Sequence, residues 1–323
     1  MLPSSSPAKR PVLFDHDGGV DDFLSLLLLL HMQHVELLGV SVTPADCYLE
    51  NALLTTHKLL ALAQRSDVEV SGGNYHGVNA FSSDWRAKPK ILNALPSMIN
   101  VEVEANAAHY DDNTAFIIRQ LEAARAPVTF LITGPCSSLV HTLGKAPSLR
   151  EKIAEVVWMG GAVDVIGNVK TYNHDGSAEW NVFWDPISAH KLFRSGLPIT
   201  LVPLDVTNTV PVSFDFLKKL ASQADYFFSN LAGQFWATTI DTIPAYEYTY
   251  FMWDVLTTSY LAIPNAFQLE MIELEVAPSG PAAGNTYRKP GSGQWVKTAV
   301  GVRKEEFYEF LFDLLKQNIV AAP

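Results

Sequence analysis

Up to about residue 210 the apolar positions fall in short unbroken blocks rather than in alternation. PVLFD, VELLGVSVT, VTFLITG, AEVVWMGG and PITLVPLD are the clearest of them. Strands that are apolar on both sides of the pleat belong in a parallel sheet covered by helices on both faces. The segments between the blocks read as helices: Asp21 to about His31, Glu50 to Leu62, Thr114 to Ala124, and Pro186 to Arg194. This alternation predicts an α/β fold, a mostly parallel central sheet with flanking helices in an open Rossmann-like arrangement. Beyond residue 210 the pattern turns mainly helical. QLEMIELEVA then alternates apolar with polar, and GQWVKTAVGV and KEEFYEFLFDLLKQN follow it. These predict a small antiparallel addition near the C-terminus, closed by a last helix. No repeat, low-complexity tract or linker divides the chain. Residues 11–323 are therefore read as one domain behind a flexible tail of residues 1–10, MLPSSSPAKR.

Composition narrows the partners. Hydrophobic residues make up 48% of the chain, enough for a packed core and against disorder. The net charge of −11 argues against nucleic acid, whose phosphates call for a basic face, and suits a cation with a neutral small molecule. Cys47 and Cys136 lie far apart in no metal-type spacing, so a reducing, cytoplasmic setting is expected. No run approaches the roughly 18 apolar residues of a membrane span.

The stretch DHDGGVDD changes the picture most. Asp15 and Asp17 fall at the carboxyl end of the first strand, where open α/β sheets place their ligands. Gly18 and Gly19 allow a tight turn, and Asp21 and Asp22 open the next helix. An acidic pair in a first helical turn ordinarily caps the helix and complements its dipole. Capping does not use Asp17 at the strand end, whereas a hard divalent cation would offset the repulsion of the whole cluster. FDHDGGV is also similar to the first motif of haloacid-dehalogenase-type phosphatases, which would make Asp15 a nucleophile beside Mg²⁺. The acidic pair that follows at once disfavours that reading.

Three later stretches carry unusual chemistry. In ITGP the carbonyl of Thr133 can serve a hard metal or simply end a strand. Asn168, Glu179 and Asn181 lie in a loop rich in tryptophan, where amides and carboxylates suit a polyol or else form Asx-type turns. Asp254 follows Trp253 at the head of an apolar helix, as a ligand or as its N-cap.

Taken in order, DHDGGVDD, TPADCYLEN, ITGP, MGGAVDVIGNV, DGSAEWNVFWDP and WDVLT resemble the nucleoside hydrolase family, the calcium-dependent N-ribohydrolases, over nearly the whole chain. AEWN, WDP, TNTVPV and Trp253 before Asp254 are most similar to the purine-specific branch acting on inosine, adenosine and guanosine. The resemblance implies Ca²⁺ held by Asp17, Asp22 and Asp254 with the Thr133 carbonyl, and Asp17 as the base that activates water. It implies ribose contacts from Asp21, Asn168, Glu179 and Asn181, and Asp46 near the sugar or base. Trp85 and Trp253 would stack on the base. Purine-specific relatives can carry an arginine in the loop before the last aspartate, but TIPAYEYTYFMWD has none. Tyr246, Tyr248 and Tyr250 are expected to close over the base instead, and Asp15 to orient its neighbours. A homodimer is implied as well. A nucleosidase that also accepts pyrimidines, a Mg²⁺-dependent phosphohydrolase and a non-catalytic nucleoside-binding protein are the alternatives.

Overall fold

The computed structural model describes residues 9–103, 112–240 and 249–317. Its strands are β1 (Arg10–His16), β2 (Val35–Val42), β3 (Val70–Gly72), β4 (Val128–Ile132), β5 (Ile153–Met159), β6 (Ile199–Val202), β7 (Phe267–Val276), β8 (Thr286–Arg288) and β9 (Gln294–Val302). They form a 9-stranded sheet in the order β3-β2-β1-β4-β5-β6-β9-β7-β8. The pairs from β3 across to β9 are parallel, and β7 runs antiparallel to both β9 and β8. The α/β expectation and its antiparallel addition therefore hold. β1 begins at Arg10, the last residue of the expected tail, which pairs with Val35 and hydrogen-bonds Glu155 at 2.8 Å.

The unbroken apolar blocks follow from cover on two faces. Val12 and Phe14 of β1 pack into one core while Leu13 between them packs into the other. β4 divides the same way, Leu131 to the first core and Phe130 and Ile132 to the second. Helix α1 (Val20–His31) is buried along its whole length, which its leucine run requires, since an all-apolar helix is stable only inside. It packs against α2 (Leu49–Leu62) and the helices Phe227–Ala237, Trp253–Ser259 and Lys304–Leu315. Truncating Leu26 or Leu27, both fully buried, would cost about 2–5 kcal/mol.

The sheet order also locates a crevice. From β1 the chain moves outward through β2 and β3, then returns across β1 to build β4 on its other side. At such a switch point the loops leaving neighbouring strands diverge, and a cleft opens at their carboxyl ends. Asp17 directly follows β1 and Thr133 directly follows β4. Among the described residues, no helix is long and apolar enough to cross a membrane.

Candidate active site

A cavity of about 640 Å³ occupies that crevice. Its floor carries Asp17, Asp21, Asp22, Asp46, Thr133, Asn168, Glu179, Asn181 and Asp254, and its walls include Trp85, Tyr250 and Trp253. Every site residue expected from the sequence lies there except Tyr248, which with Tyr246 falls outside the described residues.

Two glycines make the floor possible. Gly18 has φ +85°, and a Cβ on it would lie 2.5 Å from that of Cys47. A Cβ on Gly134 would lie 2.6 Å from the Asp17 Cβ, so Asp17 is seated directly on the turn that ends β4.

The carboxylates are held in different ways. Asp22 accepts the Gly19 N–H at 2.7 Å through Oδ2 and the Thr133 hydroxyl through Oδ1. The first bond is the capping interaction that the sequence left open, and the second ties α1 to the end of β4. Asp21 accepts the Asp254 N–H at 3.0 Å and the Tyr250 hydroxyl. The helix bearing Asp254 has Met252 at its N-cap, so Asp254 is not the cap. Asp17 is 3% exposed, and its Oδ2 has no hydrogen-bond partner among the described residues. One oxygen of Asp46, Oδ1, is likewise buried and unpartnered.

Glu179 caps the helix Trp180–Trp184, accepting N–H bonds from Asn181 at 2.8 Å and Val182 at 3.2 Å, and reaches Gly161 N–H at 3.1 Å. Asn181 donates to the Thr133 carbonyl at 2.9 Å and the Met159 carbonyl at 3.2 Å. Asn168 accepts the Trp180 N–H at 3.1 Å. The loop thus forms local side-chain turns and also presents its polar groups to the cavity.

Burial raises the pKa of every carboxyl in this cluster, and neighbouring charge adds to it at Asp17, Asp22, Asp46 and Asp254. Asp17 is pushed well up by burial, then by Asp22, Asp46 and Glu179. Asp254 is pushed well up by burial and by Asp21, Asp22 and Asp17. Burial and the charges of Asp22 and Asp21 push Asp46 well up, with Arg86 opposing. Burial takes Asp22 and Glu179 to about 7 and raises Asp21.

Asp15 belongs elsewhere. It is 1% exposed, does not line the cavity, and accepts the Thr43 hydroxyl at 3.2 Å in a pocket of hydroxyl groups beneath β1. Burial lifts it to about 7. This position suits a support and removes the nucleophile from the phosphatase alternative.

Among the described residues no three His, Cys, Asp or Glu side chains stand together as a finished metal shell. The expected trio Asp17, Asp22 and Asp254 lines one cavity but is not such a shell as it stands, because both oxygens of Asp22 are engaged by Gly19 and Thr133. The chemistry of the set still fits a hard divalent cation. The donors are all oxygens, Asp17 Oδ2 is unpartnered, and a bound cation would relieve the mutual repulsion without protonating the carboxylates.

Aromatic rings close the cavity from two directions. Trp85 and Phe81 pack on Trp180 with centroid distances of 5.4 and 5.0 Å. Tyr250 and Phe251 flank Trp253 at 4.7 and 5.8 Å, and the Trp253 indole N–H donates to Asn208 at 2.9 Å. Phe81, Trp180, Lys88 and Asn208 line the cavity without having been singled out from the sequence. AEWN and TNTVPV contained Trp180 and Asn208, but nothing local showed where their side chains end.

This geometry has counterparts. The structure of an inosine-uridine preferring nucleoside hydrolase from Bacillus anthracis superposes with a TM-score of 0.85 at 34% identity, over 95% of this chain and 99% of that one. A purine-preferring ribonucleoside hydrolase from Gardnerella vaginalis shares the fold, with a TM-score of 0.79 at 23% identity over 95% of this chain and 99% of that one. In sequence, a pyrimidine-specific ribonucleoside hydrolase (RihA) of Shewanella woodyi is 30% identical over 63% of this chain, which spans 62% of that relative's length. The corresponding protein of Klebsiella pneumoniae is 30% identical over 62% of each. The family profile described as inosine-uridine preferring nucleoside hydrolase matches residues 12–309, nearly the whole chain from β1 to the last helix, and the chain belongs to that family.

Proposed function

We propose that this chain hydrolyses the N-glycosidic bond of ribonucleosides to ribose and free base, with purine nucleosides (inosine, adenosine, guanosine) as its best substrates. The observation that carries this reading is one cavity joining a buried carboxylate floor to tryptophan-bearing walls from separate segments. The floor suits a sugar whose hydroxyls need both donors and acceptors, and the walls suit a flat base.

A hard divalent cation, which we take to be Ca²⁺, would be held by Asp17, Asp22, Asp254 and the Thr133 carbonyl. When bound it supplies charge neutralisation for the carboxylates and Lewis acidity toward the attacking water. Asp17 acts as general base, its unpartnered Oδ2 being the acceptor free to take the water's proton. Asp21, Asn168, Glu179 and Asn181 hold the ribose hydroxyls, so the anomeric carbon is placed before reaction and little orientational entropy remains to be lost. Their negative and dipolar groups also favour the oxocarbenium-like charge that develops on the sugar. Among the described residues no histidine lines the cavity to protonate the departing base. The indole faces of Trp85 and Trp253 favour a base that gains positive charge, and a purine has the larger face to offer.

The named relatives in sequence support a second reading, pyrimidine preference, and the family description supports breadth. Ribose release from inosine, adenosine, guanosine, uridine and cytidine, with and without EDTA, separates these readings. A kcat/KM for inosine at least tenfold above that for uridine supports the purine reading, at about 1.4 kcal/mol per factor of ten. The reverse order would replace it, and base-free binding of inosine without turnover would reduce the protein to a binder. We also propose a homodimer, which light scattering on the purified chain tests.

A further inference from the structure

The base wall at Trp85 is poorly anchored by its own element. Trp85 rides on the helix Ser83–Arg86, four residues long, in which no residue is fully buried and whose N-cap Ser82 makes no side-chain bond. A single turn of this kind has no independent stability. Its neighbour Arg86 supplies the fixing contacts. The Arg86 Nε–H donates to the Cys47 carbonyl at 3.3 Å, and its own carbonyl accepts the Tyr48 N–H at 3.0 Å. The guanidinium lies over the Tyr48 ring, 4.7 Å from the centroid. Three different interactions thus join one residue to the loop after β2. That loop also carries Asp46 at the cavity floor and Cys47 against Gly18. Arg86 itself does not line the cavity. Two residues on, Lys88 donates to the Thr238 carbonyl at 2.8 Å, at the end of the helix Phe227–Ala237, and secures the far side of the same segment.

We propose that Arg86 is a positioning residue for the base wall. By clamping the helix Ser83–Arg86 to the loop carrying Asp46, Cys47 and Tyr48, it fixes the Trp85 ring relative to the floor and so sets how well the departing base is stabilised. The inference rests on the nucleosidase reading above and adds the residue that governs its base-activating half. Lysine cannot replace this arginine, because an ammonium lacks the planar face that stacks on Tyr48 and the directed Nε–H.

A pair of substrates isolates the effect. A purine needs help to leave, whereas p-nitrophenolate leaves unaided, so p-nitrophenyl β-D-ribofuranoside reports on the floor alone. In Arg86→Lys and Arg86→Met, kcat/KM for inosine falls about tenfold, the size of one well-placed cation–π contact. Turnover of the nitrophenyl riboside stays within about twofold of wild type, a spread of the kind expected for a site left intact. In a Trp85→Phe background the Arg86 substitutions add little, because the residue acts through that ring. Equal losses on both substrates, unchanged inosine turnover, or fully additive losses in the Trp85→Phe background would each overturn the proposal. Thermal unfolding near the wild-type midpoint shows that the variants fold. A wild-type protein that releases ribose from neither substrate removes the nucleosidase reading, and this inference with it.

Discussion

The floor and the walls of the cavity are built on opposite principles. The floor is set by strand ends and by a helix buried along its whole length, with side chains bonded to backbone groups: Asp22 to Gly19, Asp21 to Asp254, Asn181 to Thr133. The walls ride on a single helical turn at Trp85, steadied by Arg86, and on the first residue of the helix Trp253–Ser259, where Asn208 accepts the Trp253 indole N–H. Rigid placement matters most where a proton moves and a bond breaks, because a small misplacement there costs orders of magnitude. A stacking wall tolerates looser placement, since a π face is broad.

The largest break in that contrast is at the floor. Asp17→Ala should lower ribose release by on the order of 10³-fold or more while the circular dichroism spectrum stays wild type. Retained turnover would show that another group takes the proton. Next comes chelation. With EDTA, activity should vanish and the unfolding midpoint fall, because a cation that binds only the folded chain stabilises it by mass action.

The chelated protein should also show an inverted pH response. Asp22 and Glu179 are raised to about 7 when folded, above the usual carboxylate range. The folded state then holds protons that the unfolded state has released, so stability is lost as pH rises from about 4 to 7. Scanning calorimetry of the EDTA-treated protein should find a higher midpoint at pH 5.5 than at pH 8, and added Ca²⁺ should shrink the difference. A higher midpoint at pH 8 without metal would contradict the charge repulsion inferred for the floor.

Wall substitutions should be milder and selective. Trp253→Ala is expected to cut kcat/KM for inosine by about 30-fold, close to 2 kcal/mol of cation–π and stacking stabilisation. An equal loss on the nitrophenyl riboside would show that Trp253 serves the floor instead. Gly134→Ala sharpens the contrast from below. Its new methyl group has no room beside Asp17, so stability should fall by about 1–3 kcal/mol and both substrates should suffer alike. The smallest effect belongs to Asn208→Ala, which frees the Trp253 ring. A loss of about fivefold is expected, near 1 kcal/mol for one hydrogen bond, and confined to substrates with a true base.

Much of this was legible in the sequence where local pattern and long-range geometry coincide. β1 and β4 were readable because both faces of each strand are buried, which leaves an unbroken apolar block. β3 (Val70–Gly72) and β8 (Thr286–Arg288) escaped because three residues carry no periodicity. The DHDGGVDD cluster announced itself as charge where charge is costly, and DGSAEWN announced polar groups among tryptophans. Arg86, Lys88 and Phe81 gave no such signal. A cation beside a tryptophan is ordinary in a chain, and only the fold shows that Arg86 lies on Tyr48 and that Lys88 reaches Thr238. Asp15 looked like its neighbours in sequence and differs from them because β1 turns it under the sheet, toward Thr43. Purine preference was read from AEWN, WDP, TNTVPV and Trp253 before Asp254, whereas the curated relatives matched in sequence carry pyrimidine names, so base choice is the part that residues alone settled least.

The hydrogen bond from the Asp254 N–H to Asp21 joins positions 233 residues apart. A chain emerging from the ribosome acquires its amino-terminal aspartates early but lacks their last partner until most of its length has been made. No nascent fragment ending before the helix Trp253–Ser259 can complete the floor. If the proposed activity holds, the onset of ribose release during refolding would time the docking of that one helix.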